Sequence, residues 1–510
     1  MKYLFKISNI ISTYKTQFQR ISSTSITKEM KFKLENDVKG LKKLDRSLFK
    51  CETRLPMLKV EKSKYNEVKN MLKSFLIDLP RMTRKYSELK EDDKLSKTHK
   101  GLLLDADKFK SFDESLNEEC KMYLEKKLKL NINEEFEYID VKLNYEDFQY
   151  DDIIKFILPD EILNENIGAK SFSAVGHIAH FNLRSELAEY RYIIGEVLID
   201  KVTHVKTVVN KINEIDNTYR NFEFEILAGD TDTNVTCKEN KCLFKFDFKS
   251  VYWNPRLGKE HERIVDSMKQ NDIVYDCFAG VGPFSIPAGT KNKCIVVAND
   301  LNPNSYKFLV ENYTLNRSKT QIKKEEEDKR MNKEFYQQFP IRFHAFNLDA
   351  KDFIKTELKT HLLKCLKFNL FEKYFMKSKF FVLMNLPAIA TEFLVGFNGL
   401  LNEHSNEIRD LLLVSSDEKR RFLLESFKLS VFCYCFIKDE EDLLKTKARV
   451  LSDLGAGDDL VIGARNVRKV APNKEMYCLE FNLSFKVLFK ESLDDCDIVA
   501  AKKIKFDNKL

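Results

Sequence analysis

The chain has 510 residues, which suggests two to four domains at roughly 150 residues each, and 43% of its residues are apolar, enough to build real cores. No run approaches about 18 uncharged apolar residues, which excludes a membrane-crossing helix. The 86 Lys and Arg against 79 Asp and Glu leave a formal charge of +7, which permits a polyanionic partner without requiring one. The 11 cysteines form no C-x-x-C pair and have no histidine spacing suited to zinc, so reduced thiols, an intracellular setting and no resident metal are expected.

Residues 1–28 carry Lys2, Lys6, Lys15, Arg20 and Lys28 and no acid before Glu29. Leu4, Ile7, Ile11, Tyr14, Phe18 and Ile21 share one helical face, with Lys2, Lys6 and Arg20 opposite. A basic, Ser-rich, acid-free amphipathic start has the composition of a mitochondrial transit peptide; a disordered basic leader or a plain first helix are the alternatives. From residue 30 to about 130 charges of both signs alternate with short apolar patches such as Met71–Ile77, which reads as helices with solvated faces. Strand-like Phe136–Ile139 and Val141–Leu143 follow, then Asp151–Leu158, giving a small α+β domain that ends near Pro159.

Ser171–Leu183 reads as a strand pair around Gly176, Leu187–Leu198 as a helix and Val205–Val209 as a strand. His177 and His180 flank the turn, where polar packing explains them better than a metal. Phe222–Ile226 and Leu243–Phe248 alternate as half-buried strands do. Beyond residue 273 strands expected at 273–276, 294–300, 341–347, 380–385, 431–437 and 476–485 alternate with helices, which predicts a mostly parallel, doubly wound α/β sheet. The charged stretch Arg317–Lys333 and the polar stretch Asn402–Asp417 read as surface insertions, and Gly455–Asp459 as the passage from the last helix to the last strand.

The chain is organised around Ile273–Gly289. A short apolar strand ends in Asp276, a turn with Gly280 and Gly282 follows, and an apolar segment then starts a helix. Glycines in such a turn let a ligand approach the backbone. The spacing is not the dinucleotide G-x-G-x-x-G, because position 285 is Ser. A second strand, Cys294–Ala298, leads to Asp300, about twenty residues beyond the turn, where an acid can hold ribose hydroxyls.

The strings D-C-F-A-G-V-G-P-F-S-I-P-A, N-D-L-N-P, Asn385-Leu386-Pro387, Tyr252–Arg263 and Val467–Tyr477 occur in one order that closely resembles the eukaryotic and archaeal tRNA (guanine(37)-N1)-methyltransferases, which are class I S-adenosylmethionine enzymes. The resemblance covers about residues 165 to 510. After the transit peptide expected at 1–28 and the N-terminal helical and α+β region read at 30–165, it implies a middle α+β domain at 166–250 and a Rossmann-like methyltransferase domain at 251–510. The smaller domains before the last would contact tRNA. It further implies S-adenosylmethionine as cofactor, tRNA as partner, no membrane, a monomer, and a distribution over mitochondrial matrix, nucleus and cytoplasm. The reaction would be methylation of N1 of guanosine 37, which in the tRNA for phenylalanine is also the first step towards wybutosine. The rival readings are the related wybutosine aminocarboxypropyl transferase and a non-catalytic RNA-binding relative.

Guanine N1 carries a proton in the neutral base, so its methylation needs orientation, a general base and a cation for charge building on O6. By resemblance Glu260 is the base. Taken alone, a Glu in a first helical turn would simply complement the helix dipole; Glu262, two residues off the match, is the competitor. Arg220 matches the arginine that steadies O6, and Asn385, at the end of an apolar strand, can read the guanine edge or the cofactor. Tyr252 matches an aromatic beside the flipped base and Pro387 stiffens the turn after Asn385. For the cofactor the resemblance assigns His261, Asp276, Gly280, Asp300, Leu301, Asp349, Ala350 and Asn385, and no metal.

Overall fold

The computed structural model describes residues 32–90, 93–130, 135–164, 172–212, 223–339, 341–457 and 460–489; the leader at 1–28 lies outside them. Contacts divide the chain into two compact units, one of residues 1–172, 181–210 and 226–229, the other of residues 173–180, 211–225 and 230–510.

In the first unit β1 (Cys51–Glu61), β2 (His99–Leu103) and β3 (Phe136–Leu143) form an antiparallel sheet in the order β2-β1-β3. The sheet corrects the all-helical reading of residues 30–130. In Cys-Glu-Thr-Arg-Leu-Pro-Met-Leu-Lys-Val-Glu, charges at both ends and four consecutive buried positions in the middle hide the two-residue period of a strand. Leu58, Val60, Leu102 and Leu104 pack with Val68, Leu72, Phe109, Phe112 and Leu124 in one core. The helix Tyr150–Ile157 buries Ile153, Ile154, Phe156 and Ile157 and starts with a reciprocal cap between Gln149 and Asp152.

Short strands follow in chain order. β4 (Ser173–Val175) and β5 (Ile178–Phe181) form the expected hairpin, with Gly176 at φ +57 in its turn. Then come β6 (Thr207–Lys211), β7 (Phe224–Gly229), β8 (Asn234–Glu239) and β9 (Cys242–Asp247). β8, which the sequence reading passed over, pairs with β9 across a two-residue turn in which Asn240 and Lys241 both have positive φ, the backbone that a tight hairpin requires. His177 meets the Asp232 carbonyl at 3.2 Å. His180 lies against Phe248, and burial lowers its pKa to about 4. The ten cysteines among the described residues are all free.

The second unit is built on a seven-stranded sheet of β10 (Ile273–Asp276), β11 (Ile295–Asn299), β12 (Phe343–Phe346), β13 (Phe380–Met384), β14 (Lys428–Ile437), β15 (Gly463–Ala471) and β16 (Lys474–Ser484), in the order β12-β11-β10-β13-β14-β16-β15. The pairs from β12 to β14 are parallel, and those joining β14, β16 and β15 are antiparallel. Every residue of β10, β11 and β13 is buried, as strands covered on both faces must be. Alternate residues, among them Ile273, Tyr275, Val297, Val382, Cys433 and Cys435, face one aromatic-rich core. That core also takes Ile408 and Leu412 from the helix Ser405–Val414, so the polar stretch around residue 410 has a packed side. The stretch after Arg317 forms the helix Lys319–Met331. β15, absent from the expected strands, is the last of the sheet among the described residues and exposed along most of its length. Among the described residues no helix is long and apolar enough to cross a membrane.

Candidate active site

The strand order reverses between β10 and β13, and in open α/β sheets ligands bind beyond the carboxyl ends of the strands at such a point. The Gly280 turn after β10, Asp300 after β11 and Asn385 after β13 all lie at that edge. The two turn glycines do different work. Gly282 has φ +97, and a Cβ there would stand 2.5 Å from Ile286 and 2.8 Å from Leu309, so it packs the turn onto its helix. Gly280 has φ +55, and a Cβ there would meet nothing within 4 Å. The backbone therefore borders open space where a ligand can approach.

Two carboxylates face this turn. Asp276 is fully buried; Ser285 Oγ donates to its Oδ2 at 2.5 Å, while its buried Oδ1 has no hydrogen-bond partner. Burial pushes its pKa up to about 7. Asp300 accepts from the Gly280 N–H at 2.8 Å and from the Asn302 N–H at 2.9 Å, and burial raises it to about 6. A ligand bringing donors or positive charge would relieve both. Two asparagines that the sequence reading did not single out tie the surrounding loops together. Asn299 donates to the Leu348 carbonyl at 3.0 Å and accepts from the Leu348 N–H at 3.0 Å. Asn347 donates to the carbonyls of Asp300 and Leu301 at 2.8 and 2.9 Å. The loop with Asp349 is thereby joined to the loop with Asp300 and the 40%-exposed Leu301. Asp349 caps the next helix by accepting from Lys351 N at 2.8 Å, and Ala350 is buried behind it. Both asparagines flank expected site residues, the one signal that could have marked them.

Glu260 lies in the first turn of the helix Gly258–Asp266 and is only 7% exposed, whereas Glu262 points to solvent. Arg263, one turn on, grips Glu260 with Nε to Oε2 at 2.9 Å and Nη2 to Oε1 at 2.7 Å, a two-pronged pairing that fixes a carboxylate's plane. The Tyr434 hydroxyl, from the fully buried middle of β14, donates to Oε1 at 3.0 Å. His261 pairs through Nδ1 with Glu239 at 2.6 Å and packs edge-on against Phe284, just after Gly282, at 4.7 Å; its buried Nε2 has no partner. Phe284 also lies 6.2 Å from the Tyr434 ring. The glycine turn and the Glu260 helix thus share one aromatic neighbour.

Asn385 and Pro387 are half-buried. Met384 is paired with Cys433, one residue before Tyr434, and the Pro387 carbonyl accepts from Phe436 N at 3.1 Å. β14 therefore holds the Asn385–Pro387 turn and the Glu260 contact within a few residues. Tyr252 is 39% exposed, with Asn254 Nδ2 donating to its hydroxyl at 3.3 Å. Arg220 lies outside the described residues. Among the described residues no cluster of His, Cys, Asp and Glu is placed to hold a metal.

A family model described as the TRM5/TYW2 methyltransferase domain matches residues 235–361, and one described as the TYW2 N-terminal domain matches residues 150–233. The tRNA (guanine(37)-N(1))-methyltransferase of Xenopus tropicalis is 38% identical over 462 residues, which are 90% of this chain and 81% of that protein. The Homo sapiens protein of the same name is 35% identical over 459 residues, 90% of this chain and 79% of that protein. The crystal structure of Trm5b from Pyrococcus abyssi matches the fold with a TM-score of 0.51 at 21% identity, over 84% of this chain and 99% of that one.

Proposed function

We infer the reaction from one premise: this chain belongs to the tRNA (guanine(37)-N(1))-methyltransferase family. It is an S-adenosylmethionine-dependent enzyme that methylates N1 of guanosine 37, the nucleotide beside the anticodon of tRNA. The observation that carries the reading at atomic level is Glu260, a buried carboxylate with its plane fixed, one aromatic neighbour away from an open glycine turn.

S-adenosylmethionine, when bound, supplies a methyl group on a sulfonium that is already reactive toward a nitrogen. Asp300, Leu301, Asp349 and Ala350 would hold its nucleoside end, and Gly280, Asp276, His261 and Asn385 its other end. The open space at Gly280 and the unpartnered oxygen of Asp276 fit a cationic ligand. The chain's own work is then to expose and orient the base, with Tyr252 and Pro387 shaping the pocket and Asn385 at the guanine edge. Glu260 takes the N1 proton and Arg220 steadies the charge on O6. The smaller α+β regions before residue 251 supply further tRNA contacts, and the protein acts as a monomer, which sedimentation equilibrium tests.

The direct test uses two labelled cofactors with unmodified tRNA. Label in the methyl carbon that appears at N1 of guanosine 37 supports methyl transfer. Label from the carboxyl carbon reaching tRNA instead overturns it in favour of aminocarboxypropyl transfer. For residues 1–28 the acid-free amphipathic pattern supports mitochondrial import, with a pool lacking the leader serving nucleus and cytoplasm. A reporter carrying residues 1–35 that stays diffuse in the cytosol would sink that part.

A further inference from the structure

The face of the antiparallel strands that carries Tyr434 is organised around Glu260. Tyr434 on β14 is paired with Cys478 on β16, and Cys478 with Arg465 on β15, so the three stand abreast. Glu480 is two residues along β16 on the same face. A carboxylate offers about four acceptor positions. On Oε1 of Glu260 two are filled, by Tyr434 Oη at 3.0 Å and Arg263 Nη2 at 2.7 Å; on Oε2 one is filled, by Arg263 Nε at 2.9 Å. The fourth, also on Oε2, is open. Besides Arg263, the cation beside Oε2 is the half-exposed Arg465, with Nε at 3.7 Å, too far for a hydrogen bond. Arg263 Nη2 is itself shared, donating to Glu480 at 2.7 Å as well.

We propose that Tyr434 and Glu480 are positioning residues for proton removal: Tyr434 and Arg263 occupy Oε1 and half of Oε2, so that Oε2 alone receives the N1 proton, and Glu480 holds Arg263 in the geometry that leaves it free. The proposal rests on the reading of Glu260 as the base. In the step the N1–H bond breaks, its electron pair stays on N1, and the proton forms an O–H bond with the open position of Oε2. The Tyr434 hydroxyl remains a donor to Oε1 throughout; burial, then the nearby Cys478 and Glu260, hold its pKa far above the usual phenol value. The other groups facing the carboxylate are the Cys478 thiol, kept protonated by burial, and Arg465.

The two residues act on the carboxylate with opposite sign, which gives the test. Single-turnover methylation of unmodified tRNA by the full chain is followed against pH at saturating S-adenosylmethionine, for wild type, Tyr434→Phe, Glu480→Gln and Glu260→Gln. A carboxylate that loses a donor holds its proton more tightly, so in Tyr434→Phe the rising limb of the profile moves up by about one pH unit. Below the limb the rate falls ~10-fold, and the high-pH plateau is kept. Glu480→Gln removes an anion from beside the carboxylate and moves the limb the other way, by less than about one unit. Cofactor affinity stays the same in both. Glu480 is one-third exposed, so its variant stays informative if Tyr434→Phe weakens the core. Opposed limb shifts support the proposal. Limbs that stay put in both variants, with rates scaled equally at every pH, overturn it while leaving the base assignment standing. Near-normal turnover by Glu260→Gln overturns the base assignment itself, and with it the proposal.

Discussion

The two halves of the large sheet contribute to the site by different means. The parallel half, β12 to β13, builds a binding edge from backbone held by short polar side chains: a glycine turn, two buried acids that receive or face main-chain groups, and asparagines that staple one loop to the next. The antiparallel half, β14 to β15, presents side chains from three strands to one carboxylate on a helix. Binding by backbone geometry is local in the chain. Proton handling by side-chain geometry gathers residues that are 174 and 217 positions apart.

The largest expected effect separates the halves. Glu260→Gln keeps size but removes the base together with one of its two acceptor oxygens, so single-turnover methylation falls by ~10²–10⁴-fold. Cofactor affinity, a property of the parallel half, changes little. Arg220→Ala slows the same step by on the order of 10²–10³-fold. The double variant loses less than the product of the two, because both act on one transition state. A Glu260→Gln enzyme that loses cofactor binding as well would break the division of labour.

Next come the glycines, which split the parallel half itself. Gly282→Ala drives a methyl into Ile286 and Leu309 on a positive-φ backbone, costing about 2–6 kcal/mol from strain and overpacking together and read as a fall in Tm. Gly280→Ala costs only about 1–2 kcal/mol for its left-handed backbone and leaves a folded protein. Its methyl stands in the open space before the turn, so calorimetry shows weakened S-adenosylmethionine binding.

A smaller effect comes from Asp276. Folded, it keeps its proton to about pH 7; unfolded, an Asp releases it near pH ~3.9. Between those values the folded state binds more protons, so the ligand-free protein loses stability as pH rises through that window. Asp276→Asn carries no such proton and flattens the slope of Tm against pH. The smallest effect is Glu262→Gln: with the carboxylate in solvent, rate and Tm stay within about 0.5 kcal/mol of wild type.

The same contrast governs what could be read in advance. β10, β11 and β13 are short apolar runs that end in, or are followed at once by, Asp or Asn, and both their positions and the sheet they form are legible. Their neighbours in space are neighbours in the motif. β1 was not legible, since charged ends and a fully buried middle erase its two-residue period. Nor was β15, a strand with no buried face to impose an apolar pattern. Glu260 was found through its motif, and Arg263 lay in the same string at the three-residue spacing that lets helix side chains meet. Tyr434 was hidden inside Val431–Ile437, where an apolar run shows burial but not that one hydroxyl faces a helix across the sheet.

The exposed last strand has a consequence for how the protein behaves in a crowded solution. Among the described residues the sheet ends at β15, and the edge of a sheet is the kind of template on which other chains can polymerise. Arg465, Arg468 and Lys469 put charge along that rim, and the pairing with β16 slips at Asn466–Arg468 and again at Lys469–Ala471. A kinked, positively charged border is a poor match for an incoming strand. Arg465, the cation that stands near the carboxylate, therefore also helps guard the protein against aggregation through its own edge.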